Sequence, residues 1–164
     1  MKKGIILFVL LLLMGACSGN DENSSNSGEF SIENISTAEF ENNESYFIVM
    51  PLNWSGDNPA TIKSVELINQ ENEPLTLDTD HIAYEFSGAS KDKRSGVYAR
   101  EDVGEIQEIE GFEVTDEATL VLEISISDVS EDLERRLRIT YSVDGDEQEQ
   151  VIESSTFQNL RTQE

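Results

Sequence analysis

Leu120-Val121-Leu122-Glu123-Ile124-Ser125-Ile126 is the stretch on which the fold turns. Leu120, Leu122, Ile124 and Ile126 alternate strictly with Val121, Glu123 and Ser125. Successive side chains of a strand point to opposite faces, so this spacing gathers four aliphatic side chains on one face. A helix would scatter the same residues around its girth. Downstream, the polar link Ser127 to Asp132 leads into a second extended run, Leu137-Arg138-Ile139-Thr140-Tyr141-Ser142-Val143. Asp144-Gly145 then predicts a tight two-residue turn, because both central positions of a type I′ turn need positive φ. Gln148 to Phe157, carrying Val151 and Phe157, is expected to return as the hairpin partner.

Upstream the same period recurs. Phe30, Ile32 and, less regularly, Ile35 suggest a first short strand. In Tyr46-Phe47-Ile48-Val49-Met50-Pro51-Leu52-Asn53-Trp54, one face carries Tyr46, Ile48, Met50, Leu52 and Trp54, and the other Phe47 and Val49. Pro51 cannot donate to a ladder, so this strand lies at an edge there or is bulged. Ser55 to Pro59 is a turn cluster, Ile62 to Ile68 a strand, Asn69 to Glu73 another turn, and Leu75-Thr76-Leu77 an extended segment. Ile82, Tyr84 and Phe86 alternate again. Ser87 to Gly96 is a polar loop holding Lys91, Lys93 and Arg94, and Val97-Tyr98-Ala99 is a short strand. Val103, Ile106 and Ile109 recur every three residues, which allows a helical turn crossing between sheets before Phe112 and Val114. About eight or nine short strands with turns between them, and no long helical period, read as an all-β antiparallel sandwich. Trp54 in an early strand and Tyr141 in a late one give the segment a resemblance to immunoglobulin-like domains, whose core carries a tryptophan and a tyrosine. A jelly roll or a lipocalin-like barrel shares the alternation.

The N-terminus is of another kind. Lys2 and Lys3 precede an apolar run from Ile5 to Met14, long enough for a signal-peptide core but short of the about 20 residues needed to span a bilayer. Leu13-Met14-Gly15-Ala16-Cys17 resembles the lipobox of bacterial lipoproteins, with Met14 where that family prefers Leu. The resemblance implies cleavage between Ala16 and Cys17 and attachment of a diacylglycerol to the thiol. Cys17 is the single cysteine of the chain, and lipidation accounts for a thiol that has no disulfide partner. The organisation expected is a signal peptide over 1–16, a lipidated, disordered tether over 17–29, the sandwich over 30–158 and a C-terminal tail over 159–164, frayed from Arg161 on.

Without Lys2 and Lys3, nine of the 11 basic residues stand against 34 acidic ones, a formal charge of −25. Such a field repels phosphate backbones, which argues against a nucleic-acid partner. His81 is the sole histidine, so neither a zinc site nor a serine triad is expected, and no cofactor or metal is assigned. Asp78 with Asp80, Asp128 with Glu131 and Asp132, and Asp144 with Asp146 and Glu147 offer oxygens without the twelve-residue Ca²⁺ loop pattern. Trp54 reads as a core plug or, if exposed, as a stacking platform for a sugar or a partner side chain. Arg135, Arg136 and Arg138 form the most basic stretch, either balancing carboxylates on neighbouring strands or docking an acidic partner. The sequence thus points to a non-enzymatic binding module on the extracytoplasmic face of a cell membrane, anchored through Cys17, with an envelope protein or a glycan as partner. A carbohydrate- or Ca²⁺-binding lipoprotein and a hydrolase using paired carboxylates are the alternatives.

Overall fold

The computed structural model describes residues 28–163. The leader, Cys17 and the tether up to residue 27 lie outside them. Ten strands form two antiparallel sheets: β1 (Phe30–Ile32), β2 (Ser45–Trp54), β3 (Ala60–Ile68), β4 (Ile82–Ala89), β5 (Gly96–Tyr98), β6 (Gln107–Glu108), β7 (Glu113–Val114), β8 (Glu117–Ile126), β9 (Arg136–Val143) and β10 (Asp146–Glu153). Three one-turn helices join them: α1 (Leu77–Asp80), α2 (Arg100–Val103) and α3 (Ser155–Gln158). One sheet runs β1-β2-β8-β4-β6, with β5 also on β2; the other runs β10-β9-β3-β7. Taking β1, β2, β3, β4, β8, β9 and β10 as strands A to G gives ABED against GFC, the strand order of the immunoglobulin fold.

The alternation of Leu120 to Ile126 is what fills the space between the sheets. Leu120, Leu122, Ile124 and Ile126 of β8 join Ile48, Met50, Leu52 and Trp54 of β2, and they pack on Ile62, Val65, Leu67, Leu137, Ile139 and Tyr141 from the second sheet. Along β3 the inward positions skip from Ile62 to Val65, because the register with β9 shifts between Ile62 and Ser64 and one extra residue, Lys63, is accommodated. Pro51 pairs with Thr119 on one side only. On its other side it falls in the gap between β1, which ends opposite Leu52, and β5, which ends opposite Val49. The missing N–H therefore costs no ladder bond. Asp144 and Gly145 take φ of 53° and 93° and close the β9–β10 hairpin at Val143↔Asp146, as the type I′ expectation requires.

Several local expectations are corrected. Leu75 to Leu77 is not a strand: Thr76 N-caps α1, its hydroxyl accepting from Thr79 N while its own N–H donates to Asp80. The helical turn expected over Val103 to Glu110 sits earlier, at α2, and Gln107–Glu108 pairs with β4. The last strand ends at Glu153, where Ser154 caps α3 and turns Phe157 into the core, fully buried. The tail is not frayed. Leu160 is fully buried, Arg161 bonds Glu39 and Glu131, and Gln163 N donates to Phe40 O. At the other end Gly28, within the expected tether, is already part of the packed structure: its carbonyl accepts from the Tyr141 hydroxyl.

The main departure from a plain sandwich lies between β4 and β8. After β4 the chain crosses to the far edge of β2 as β5, returns through α2, pairs β4 as β6 and then pairs β3 of the other sheet as β7. This excursion roofs the outer face of the first sheet. Beneath it Phe47, Val49, Ala89, Val103 and Val121 form a second buried cluster, with Tyr98 and Ile106 against it.

Candidate binding surface

Trp54 is 4% exposed. Its ring centroid lies 4.7 Å from that of Phe30 and 5.3 Å from that of Tyr141, and its indole N–H donates to Asn58 O. It is a core residue on the B-equivalent strand and cannot serve as an exposed platform. Arg135 is equally unavailable, at 6% exposed. Its guanidinium donates to the carbonyls of Ser130, Leu160 and Phe157 at 2.6, 2.9 and 3.4 Å. Burial lowers its pKa from the ordinary arginine value, opposed by Asp132 and Asp80. Arg136 donates to the carbonyls of Asn69 and Gln70 and so fixes the turn after β3. Arg138 sits opposite Glu66 in the β9–β3 ladder, bonds it at 2.6 Å and lies 3.9 Å from Glu149. The expected surface of Trp54, Arg135, Arg136 and Arg138 is therefore not one surface. Trp54 packs on Tyr141, six positions along the chain from Arg135, or ~20 Å at ~3.3 Å per residue. Of the arginines only Arg138 balances carboxylates, and the other two hold loop carbonyls.

Of the cations that remain, Lys63 lies exposed on β3 without an ion pair among the described residues and Arg161 on the C-terminal segment, while four cluster on the excursion. Lys91, Lys93, Arg94 and Arg100 make up four of the nine basic residues beyond position 16. Among the described residues, ion pairs with carboxylates are formed by Arg138 and Arg161 alone. Lys93 donates to Val103 O and Arg100 to Gly104 O, with the Arg100 guanidinium 5.6 Å from the centroid of Phe47. Lys93 thus ties the loop before β5 to α2, and Arg100 rests on the sheet through Phe47. Lys91 and Arg94 are exposed. Between roof and sheet a recess of about 220 Å³ is lined by Val49, Lys93, Arg94, Tyr98, Asp102 and Val103. The Tyr98 hydroxyl donates to Arg94 O, which steadies the loop that carries the cations.

No protein-family model matches the chain. No curated protein matches it in sequence either.

Beyond the roof the outer face of the first sheet is bare. There Glu85 and Glu123 stand directly opposite each other on β4 and β8, in a shallow hollow of about 230 Å³ with Ser45 and Ser125. Among the described residues no group of three or more His, Cys, Asp or Glu converges as a metal site, and no helix is long and apolar enough to cross a membrane. His81 caps α1 in a left-handed conformation and is exposed. Sequence reasoning noticed Lys91, Lys93 and Arg94 but gave them no role. The signal that marks their position was present in Phe47, Val49 and Val121, apolar residues on the second face of two strands.

Proposed function

We propose that this chain is a lipid-anchored cell-envelope protein whose sandwich is a non-enzymatic binding module. Cys17 carries the lipid, residues 18–27 act as a spacer, and the excursion between β4 and β8 receives an anionic partner, an envelope protein or an acidic glycan. The observation that carries this reading is the clustering of Lys91, Lys93, Arg94 and Arg100 on one excursion without an ion pair among the described residues, in a chain with 34 acidic residues. Cations so outnumbered are expected to find a carboxylate nearby unless geometry keeps them apart. Here none of the four forms an ion pair with a described residue, and Lys91, Arg94 and Arg100 are open to solvent. An exposed cationic spot in an otherwise repelling field steers an acidic partner to one orientation.

Two measurements test the two halves. Envelope fractionation with labelled fatty acid should find the native chain lipidated in the membrane fraction and Cys17→Ser released; an unlabelled native chain ends the anchoring claim. A photo-crosslinking residue at Val97, exposed on β5, should give an adduct in cells that is lost in Lys91→Gln/Arg94→Gln. The same adduct with and without those charges removes the excursion as the binding surface.

A further inference from the structure

Among the described residues the second sheet has an open edge at β10. β10 pairs with β9 in unbroken register from Asp146↔Val143 to Glu153↔Arg136, and none of its backbone groups bonds any other element among the described residues. A two-residue hairpin makes the pair flanking the turn a hydrogen-bonded one, and such pairs then alternate along the ladder. Asp146, Gln148, Gln150 and Ile152 therefore spend their N–H and C=O groups on β9. Glu147, Glu149, Val151 and Glu153 turn theirs outward, and all four side chains are exposed.

Other edges are covered for much of their length. β1 and β5 share the outer edge of β2. The Tyr84 hydroxyl meets both N–H and C=O of Leu67, Leu75 N donates to the same carbonyl, and Gly111 and Phe112 take up the backbone of Ile62, so β3 is closed beyond β7. β6 interrupts the edge of β4 at Ser87 and Gly88. β10 alone runs eight residues, without proline or bulge, with no strand on its outer side among the described residues. Its inner side is held in place from the first sheet: the Gln150 amide accepts from Phe30 N and donates to Phe30 O. The edge is therefore rigid before any partner arrives.

We infer that β10 receives an extended, basic segment of a partner protein as a fifth strand of the second sheet. Glu147, Glu149 and Glu153 dictate the sign, because a residue directly opposite on the same face lies within about 5 Å and like charges there are destabilising. A second copy of this chain would set glutamate against glutamate, and charged residues at an edge are a known guard against self-pairing. The same carboxylates accept a strand with lysines or arginines in those places. Val151, 40% exposed between Glu149 and Glu153, asks for an apolar residue. An antiparallel partner thus reads cation, apolar, cation, cation at every second position from Glu153 back to Glu147. This surface is separate from the excursion and selects the opposite charge.

The test uses the full-length chain in detergent and the heptapeptide Lys-Thr-Val-Thr-Lys-Thr-Lys, blocked at both ends and fluorescently labelled, with anisotropy as readout. In the inferred pairing the lysine and valine N–H groups face β10 and the threonine N–H groups face away. Methylating the lysine and valine nitrogens should weaken binding at least tenfold, whereas methylating the threonine nitrogens should leave it within about threefold. Val151→Pro removes an outward N–H and no β9 bond, so the fold should survive, as read by the Trp54 emission, and peptide binding should fall at least tenfold. Lys91→Gln/Arg94→Gln should bind the peptide normally. Equal binding of both methylated peptides would reduce the edge to a charged surface, and absence of binding would overturn the inference outright. Self-association abolished by Val151→Pro would make a second copy the occupant, against the charge argument. If Val151→Pro misfolds, the two methylated peptides still decide.

Discussion

Replacing Arg135 by methionine should destabilise the domain by ~2–4 kcal/mol. The variant keeps the unbranched apolar stem and deletes the guanidinium. Of the three carbonyls served by Arg135, that of Phe157 also accepts from Leu160 N and Asn159 N and stays satisfied. Those of Ser130 and Leu160 have no second donor among the described residues. An orphaned buried acceptor costs ~1–3 kcal/mol, and the Leu160 carbonyl is one. That of Ser130, on an exposed residue, adds ~1–2 kcal/mol as part of it stays covered, so the pair gives ~2–5 kcal/mol. Relief from burying a cation returns part of this, which leaves ~2–4. For a domain of this size each kcal/mol moves Tm by ~4 °C, so the shift is ~8–16 °C. Urea unfolding followed by Trp54 emission suits the measurement, since Trp54 is the single tryptophan and is buried. The midpoint should fall with the slope unchanged. Amide exchange should accelerate first at α3 and Leu160, the segment that Arg135 ties to the link before β9. Arg135→Lys keeps the charge but cannot span three carbonyls and should lose at least half as much. A methionine variant within ~0.5 kcal/mol of wild type, or unchanged exchange at α3, refutes the account of Arg135 as an internal strut.

Glu85→Lys should stabilise the domain by up to ~1 kcal/mol at low salt, because it turns the opposed Glu85–Glu123 pair into an attractive one; equal midpoints at low and high salt would speak against it. Tyr84 is a pH probe. Burial, ahead of the Glu66 charge, raises its pKa above 10.0, so the folded state favours the neutral phenol. That contribution is complete below pH 10 and is lost as pH rises through the folded value. Tyr84→Phe should cost ~1 kcal/mol at neutral pH and flatten the alkaline fall of stability above pH 10; parallel curves would sink the linkage. At Gly88 a Cβ would stand 2.6 Å from the Phe112 ring. Gly88→Ala should therefore cost ~1–3 kcal/mol, largely recovered by adding Phe112→Ala, and strict additivity of the two would contradict the contact.

What was legible in the sequence was whatever period-2 burial writes into it. Leu120 to Ile126 and Ile48 to Trp54 face a core, so their spacing gives strand, face and neighbour directly. The Asp-Gly turn is a local necessity and was readable for the same reason. Thr76 to Asp80 was misread because a one-turn helix is too short to show a 3.6-residue period, and its caps carry the signal instead. Phe157 looked like the end of a strand because burial is the same in either conformation. Arg138 balances Glu66 on the neighbouring strand as expected, but Arg135 and Arg136 were misread for a different reason. Sequence shows charge but not the carbonyls that loops turn inward, and Arg135 and Arg136 answer backbone groups that only the folded chain assembles. Lys91 and Arg94 stand out by the reverse criterion, a cluster of exposed cations none of which forms an ion pair among the described residues, which needs the whole set of pairs before it can be seen.

The two surfaces differ in how they are built, and that difference makes them separable. The excursion rests on its own small cluster of Phe47, Val49, Ala89, Val103 and Val121, outside the main core, so its exposed charges can be altered without touching the sandwich. The β10 edge offers backbone groups, whose recognition survives most side-chain changes but not a proline or a methylated partner nitrogen. Salt acts on both, but unequally. Screening removes most of what exposed Lys91 and Arg94 contribute, while the main-chain bonds along β10 keep the part of their free energy that carries no charge. A partner bound at the excursion should thus be released by salt alone, and a strand on β10 should be weakened by salt yet retain a dependence on its backbone N–H groups at high ionic strength.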